Sequence, residues 1–352
     1  MSISVASFGA LPCGRQTHLY TLKNTSGAYV KISDFGGIVT EICVPDKNGK
    51  LGDVVLGNYD LAGYFPENDG FRGALIGRVG NRICRGKCTV SGQELTLNCN
   101  SNGHHLHGGF HGFNEKVWDA VPVEGILEDK LILNYVSADG EENYPGNLKV
   151  QVTYTFTDAN ELKLHYEAVS DRDTLCNLTN HTYFNLDGED ALTIDNLLLQ
   201  LNADAFTPGD ADLIPSGEIR DVTGTPFDLR KPTLLGERLK MTETDPDMKN
   251  GGGFDHNFVL NGSGLREGAA VISPATGRVM RMYTDMPCVQ LYTANMLGDC
   301  VGKCGKPYGK RSALCLETQY APDSINHKEF PDSILYAGKK YDFTTIYKFE
   351  VE

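Results

Sequence analysis

The strongest constraint on the fold is a strict alternation of apolar and polar residues between positions 149 and 168. In KVQVTYTF (149–156), Val150, Val152, Tyr154 and Phe156 fall on one side. In ELKLHYEA (161–168), Leu162, Leu164 and Tyr166 do the same. Successive side chains of an extended chain point to opposite faces, so a period of two marks a strand with one face buried. The intervening TDAN (157–160) has turn chemistry, and the two segments are predicted to form an antiparallel hairpin. A second hairpin is expected over 87–97, turned at Ser91, Gly92 and Gln93, and a third where 269–272 and 278–283 flank the turn 274–277. Further strands are expected at 54–56, 131–136, 196–201, 288–293 and 313–317.

Helix signals are confined to 60–64 and 231–239, the latter with Pro232 near its start, where a missing N–H costs nothing. No strand–helix alternation runs through the chain, which argues against a parallel α/β sheet and for an all-β, antiparallel sandwich. No internal repeat, long charge block or Pro/Gly/Ser-rich linker divides the sequence, so 1–352 is read as a single domain. A chain of 352 residues buries a core of its own without staples.

Charge narrows the function. Lys and Arg number 32 against 46 Asp and Glu, a net charge of −14. Such a chain lacks the basic footprint of a nucleic-acid binder and is repelled by an anionic membrane surface. The N-terminus has no basic region before an apolar run, and no apolar stretch reaches the roughly 18 residues of a membrane helix. A cytoplasmic protein is expected. Its ten cysteines then read as free thiols. Cys84 with Cys88, and Cys300 with Cys304, share a spacing that would allow a four-thiolate zinc site, but it is looser than the usual structural spacing.

No phosphate-cradling GxxxxGK[ST] loop is present, and no GxGxxG opens a helix after a strand. The basic stretch KCGKPYGK (303–310) lacks the hydroxyl residue of a nucleotide loop and reads as a solvated loop. His104, His105, His107 and His111 cluster in NGHHLHGGFHGF. Three readings stand for them: a metal site on the shared strand face of His105 and His107, polar lining of a site, or ordinary loop and core histidines. His181, in TNHTYFNL, has the polar and aromatic neighbours of a lined pocket, or is a hydrogen-bonded residue at a strand end. Glu317 closes the apolar run SALCLE; a carboxylate there is either paired or functional, because burying a lone charge is costly. Asp255, after GGGF, is a turn cap or a site residue, and Asn81 and Arg82 in IGRVGNRI are a structural hydrogen-bonded pair or a cleft lining.

Nine segments in order resemble the aldose 1-epimerase, or galactose mutarotase, family. They are DVVLGNYDLAGY, GRVGNRI, LHGGFHGF, DGEENYPG, NHTYFNL, PSGEIRDVTGTPFD, GFDHNF, VQLYTAN and LETQYAPDSIN, and they span most of the chain. The resemblance implies an antiparallel β-supersandwich with sugar bound in an open cleft on one sheet. It implies interconversion of the α and β anomers of free aldohexoses such as galactose and glucose, with Glu317 as base and His181 as acid. Asp255, Arg82, Asn81, His107 and Gln290 would hold the sugar, with an aromatic at Tyr292 packed on its apolar face. Opening a hemiacetal moves protons and no electrons, so neither cofactor nor metal is implied, and the partner is a small sugar bound by a monomer or weak homodimer. Two rivals share the scaffold. A hexose-6-phosphate mutarotase would need a cluster of cations, and a non-catalytic sugar-binding module need not keep both an acid and a base.

Overall fold

The computed structural model describes residues 2–66, 68–125, 128–298, 300–303, 305 and 307–352, the side chain of Asp69 excepted. Its frame is a nine-stranded sheet in the order Asp119–Val123, Lys130–Ser137, Leu148–Phe156, Glu161–Ser170, Lys340–Val351, Arg278–Thr284, Arg266–Ile272, Leu198–Leu201 and Thr233–Leu234. A five-stranded sheet of Arg220–Asp221, Ala203–Thr207, Asp255–Leu260, Cys288–Tyr292 and Cys315–Gln319 carries the site, and a second five-stranded sheet holds the N-terminal strands between Ser2 and Asp53. Every ladder between these strands is antiparallel. Among the described residues only two short α-helices occur, Leu235–Leu239 and Pro246–Gly251. None of the described helices is long and apolar enough to cross a membrane. The fold is the β-rich, antiparallel one expected from the sequence.

The first hairpin forms as its periodicity requires. Val150 pairs with Ala168, Val152 with Tyr166, Tyr154 with Leu164 and Phe156 with Leu162, and all eight are buried in the main core. A one-residue slip would turn this whole set to the opposite face, so burial fixes the register. The hairpins at Lys87–Val90 with Gln93–Thr96 and at Arg266–Ile272 with Arg278–Thr284 also form, though the turn of the former is Ser91–Gly92 and Gln93 already belongs to a strand. Both turn residues have positive φ, 49° and 81°, as a tight hairpin turn demands.

Four expectations are corrected. The segment 54–56 is not a strand: the strand Leu51–Asp53 stops where the Asp53 carboxylate turns inward to accept the N–H groups of Ile42 and Val55, and only Val55 bridges Phe184. Residues 60–64 make one 3₁₀ turn, Leu61–Gly63, and 231–239 splits into the strand Thr233–Leu234 and the helix Leu235–Leu239, with Pro232 ahead of both. The stretch 303–310 is not simply solvated. The ammonium of Lys303 is fully buried, donating to Thr40 O at 2.7 Å, to Val55 O at 2.9 Å and to the Asp53 carboxylate.

The nine described cysteines are free thiols. Cys88 packs in a core cluster with Val90 and Leu95, while Cys300 Sγ accepts Arg72 Nη1 at 2.9 Å. No cysteine stands among the converging metal-type donors of the described residues; Cys304 lies outside them.

Candidate active site

The site is built on one face of three adjacent strands. Asn257 lies opposite Gln290, and Gln290 opposite Glu317; one step along, Asp255 lies opposite Tyr292. Alternation puts Asp255, Asn257, Gln290, Tyr292 and Glu317 on one face. Two short ladders supply the walls. Thr179–Asn180 pairs with Leu75–Ile76 and delivers His181 and Tyr183; Arg82–Ile83 pairs with His105–Leu106 and delivers Asn81, Arg82 and His107. Together they enclose a cavity of about 190 Å³, the scale of one monosaccharide, lined by Asn81, Arg82, His107, His181, Asp255 and Glu317 among polar residues. Gly70, Phe71, Leu106, Tyr183, Tyr292, Met296 and Leu297 complete it.

Across this cavity the two expected reacting groups face each other, with His181 Nε2 at 3.6 Å from Glu317 Oε1. Both are buried, at 5% and 2% exposure. Burial, with the Asp255 charge adding to it and Arg82 opposing, pushes the Glu317 carboxyl well above the ordinary carboxylate range. Burial pushes His181 down to about 4. At neutral pH the imidazole is therefore neutral, and the carboxyl holds its proton to higher pH than an exposed glutamate does.

Asp255 accepts Gln290 Nε2 at 2.6 Å and faces Arg82 Nη2 at 3.7 Å. Burial raises its carboxyl, and the Arg82 charge and the Gln290 hydrogen bond work against that rise. Asn81 Oδ1 accepts both the Arg82 backbone N–H, at 2.9 Å, and Arg82 Nη1, at 3.3 Å, so this pair is at once a structural unit and part of the lining. Gln290 stands behind Asp255 rather than in the cavity wall.

The shared strand face of His105 and His107 does not exist. The strand ends at Leu106, and His107 takes φ 51°, which turns its ring into the cavity. His105 goes into the interior, against Asn98 O at 2.6 Å and the Tyr144 hydroxyl at 2.5 Å. A different group of donors converges instead: those of His107, His181 and Glu317 lie within 4.8 Å of one another. Their hydrogen bonding does not suit a cation. His107 Nδ1 accepts the Asn81 N–H at 3.1 Å, which leaves the ring hydrogen on Nε2. That nitrogen would ligate only after losing the hydrogen, whereas as it stands it offers an N–H to a ligand oxygen.

Four lining residues, Phe71, Tyr183, Met296 and Leu297, had no signal in the sequence beyond being apolar or aromatic residues in loops. Only Tyr183, two residues after His181, falls within a segment that pointed to the site.

A carboxyl and an imidazole converging on a sugar-sized cavity, on an antiparallel sheet whose other polar groups suit hydroxyls, define an acid–base isomerase of carbohydrates. The comparisons place it more closely. The aldose 1-epimerase family model matches residues 18–348. The chain is 43% identical to galactose mutarotase of Bos taurus over 353 residues, covering 100% of this chain and 99% of that one. It is 34% identical to aldose 1-epimerase of Escherichia coli (strain K12), covering 97% of each. The crystal structure of an aldose epimerase homologue from C. elegans superposes with a TM-score of 0.87 at 31% identity, covering 95% of this chain and 99% of that one. The chain belongs to the aldose 1-epimerase family.

Proposed function

We propose that this protein interconverts the α and β anomers of free aldohexoses, galactose and glucose foremost, with Glu317 as general base and His181 as general acid. The observation that carries the reading is the convergence of the two groups on one cavity, 3.6 Å apart. In the reacting form Glu317 is a carboxylate and His181 an imidazolium. This form has the same proton count as a neutral carboxyl–imidazole pair; only the proton's position differs. Arg82 and the hydroxyl hydrogens of a bound sugar favour the carboxylate. Glu317 takes the proton of the C1 hydroxyl as His181 protonates the ring oxygen, and the C1–ring oxygen bond breaks. The aldehyde turns about its C1–C2 bond and recloses on the other face, with each proton returned. While the open aldehyde is bound, carboxyl and imidazole are both neutral, the state their surroundings prefer. General acid–base catalysis of this kind contributes roughly 10²–10⁴-fold.

Asp255 accepts hydroxyl hydrogens of the sugar, and Arg82, Asn81 and the Nε2–H of His107 hydrogen-bond its oxygens. Gln290 serves by holding Asp255. Two features favour a free sugar over a sugar phosphate: among the described lining residues Arg82 is the sole lysine or arginine, and it already faces Asp255. A non-catalytic binding module would have no use for an acid and a base brought together at 3.6 Å beside its ligand.

Polarimetry of freshly dissolved α-galactose tests the reading. Wild-type protein speeds equilibration without changing the final rotation. Glu317→Gln slows it by roughly 10²-fold or more; full rate in that variant would remove Glu317 from the mechanism.

A further inference from the structure

Phe71 occupies a position that the backbone resists. Its φ is 57°, in the left-handed region that a bulky L-residue rarely enters. The surrounding contacts hold it there. The Asn68 side chain spans the loop, accepting the Arg72 N–H at 3.0 Å and donating to Arg72 O at 3.0 Å. The Arg72 guanidinium is buried and donates to Cys300 Sγ at 2.9 Å and to Gly63 O at 3.4 Å. Just before Phe71, Gly70 O accepts the Tyr183 hydroxyl at 2.7 Å, and a Cβ at Gly70 would lie 2.5 Å from that hydroxyl oxygen. Three independent anchors thus fix a five-residue loop whose backbone is strained at its central side chain.

What the strain achieves is contact with both imidazoles. The Phe71 ring lies 4.8 Å from that of His107, edge to face, and 6.2 Å from that of His181, nearly parallel at 27°. Tyr183 stacks on His181 at 5.0 Å and 22°. The His181 ring thus has two nearly parallel aromatic neighbours, and both line the cavity. Strained residues persist where the surroundings over-determine them, and they cluster at working sites.

We propose that Phe71 is a positioning residue for the proton transfer: its ring fixes His181 opposite Glu317, keeps water from the two imidazoles, and forms the wall on which the C–H face of the pyranose packs. The proposal rests on the acid–base reading given above. It assigns the loop Asn68–Arg72 to the reaction through Phe71, and the Arg72–Cys300 contact to holding that loop. The groups that face His181 are Glu317, His107, Tyr183, Tyr292 and Phe71, with Arg82 and Asp255 beyond.

The test compares Phe71→Tyr, Phe71→Ala and Phe71→Gly with wild type in polarimetric assays on α-galactose, each checked by thermal unfolding. Glycine tolerates positive φ and alanine does not, so Phe71→Gly is expected to melt at or above Phe71→Ala. Both are expected to lose about tenfold or more in kcat, in line with the cost of a misplaced catalytic group, and to raise KM several-fold. Their acid limb of kcat/KM moves up towards the ordinary imidazole range, which a merely structural role would not produce. Phe71→Tyr retains most of the rate. Wild-type kinetics and an unmoved acid limb in a folded Phe71→Gly protein would overturn the proposal while leaving Glu317 and His181 in place. A wild-type protein with no activity would instead overturn the acid–base reading itself.

Discussion

His181 Nε2 and Glu317 Oε1 stand 3.6 Å apart in a buried cavity, and their surroundings move their proton affinities in opposite directions, His181 down to about 4 and Glu317 well above the carboxylate range. An exposed pair of these residues would have the opposite order, with the imidazole the stronger base.

The pH profile follows from that inversion. The working pair holds one proton. A second proton must go to the neutral His181, so kcat/KM falls on the acid side near 4 rather than near 6.5. Loss of the single proton sets the alkaline side, and Glu317 places it above the usual carboxylate range. The rate is expected to be flat between. Polarimetry in buffers corrected for their own catalysis checks this; an acid limb at the ordinary imidazole value would show that His181 is not held neutral.

Gln290 is expected to act on binding more than on chemistry. It touches Asp255 at 2.6 Å but does not line the cavity. Gln290→Leu leaves Asp255 facing Arg82 alone, so KM for galactose should rise by about three- to tenfold, the weight of roughly one hydrogen bond to a charged group, with kcat little changed. A fall in kcat at unchanged KM would place Gln290 in the reacting machinery.

Arg78 belongs to the same GRVGNRI segment as Arg82 but points the other way. Its buried guanidinium makes six hydrogen bonds, to Ser137 Oγ, Thr174 Oγ1 and the carbonyls of Ser137, Ala138, Pro145 and Gly146. Arg78→Ala strands those acceptors and is expected to cost about 3 kcal/mol or more. Arg78→Lys recovers little, since a single ammonium does not reproduce the planar fork. Denaturant unfolding measures both; equal stability of Arg78→Lys and wild type would refute the account.

Lys303 and Asp53 are predicted to be worth more together than apart. Lys303→Met leaves Asp53 buried without its cation, at a cost of about 3–5 kcal/mol. Adding Asp53→Asn removes the lone carboxyl, so the double variant should be less destabilised than the two single costs summed. A double-variant cycle with no coupling would argue that the pair contributes nothing beyond its separate hydrogen bonds.

Legibility in the sequence followed the range of the signal. The hairpin over Leu148–Ser170 showed plainly, because each strand carries its own period-two pattern and both buried rows face one core. Glu317 and His181 stood out as costly groups in apolar or aromatic settings, but that they meet depends on ladders between distant segments, which only the family resemblance suggested. The segment 54–56 misled because its apolar residues are buried by a turn around Asp53 rather than by a ladder. His105 and His107 misled because one positive φ cancels strand alternation, and no residue type announces it at histidine. Lys303 looked solvated because composition reports charge and not the carbonyls that wait for it. Phe71 left no trace: its placement depends on Asn68, Tyr183 and Cys300, each of which reads as ordinary.

The strand Lys340–Val351 lies in the middle of the nine-stranded sheet, between Glu161–Ser170 and Arg278–Thr284. It is also the last of the described strands in chain order, so it is synthesised after every strand it joins. Until it emerges, the two halves of the sheet each present an open edge, the kind of surface that recruits a foreign strand. A nascent chain stopped before residue 340 can contain every group of the catalytic cleft and still lack the piece that seals its scaffold, so premature termination there should yield aggregates rather than a weakened enzyme.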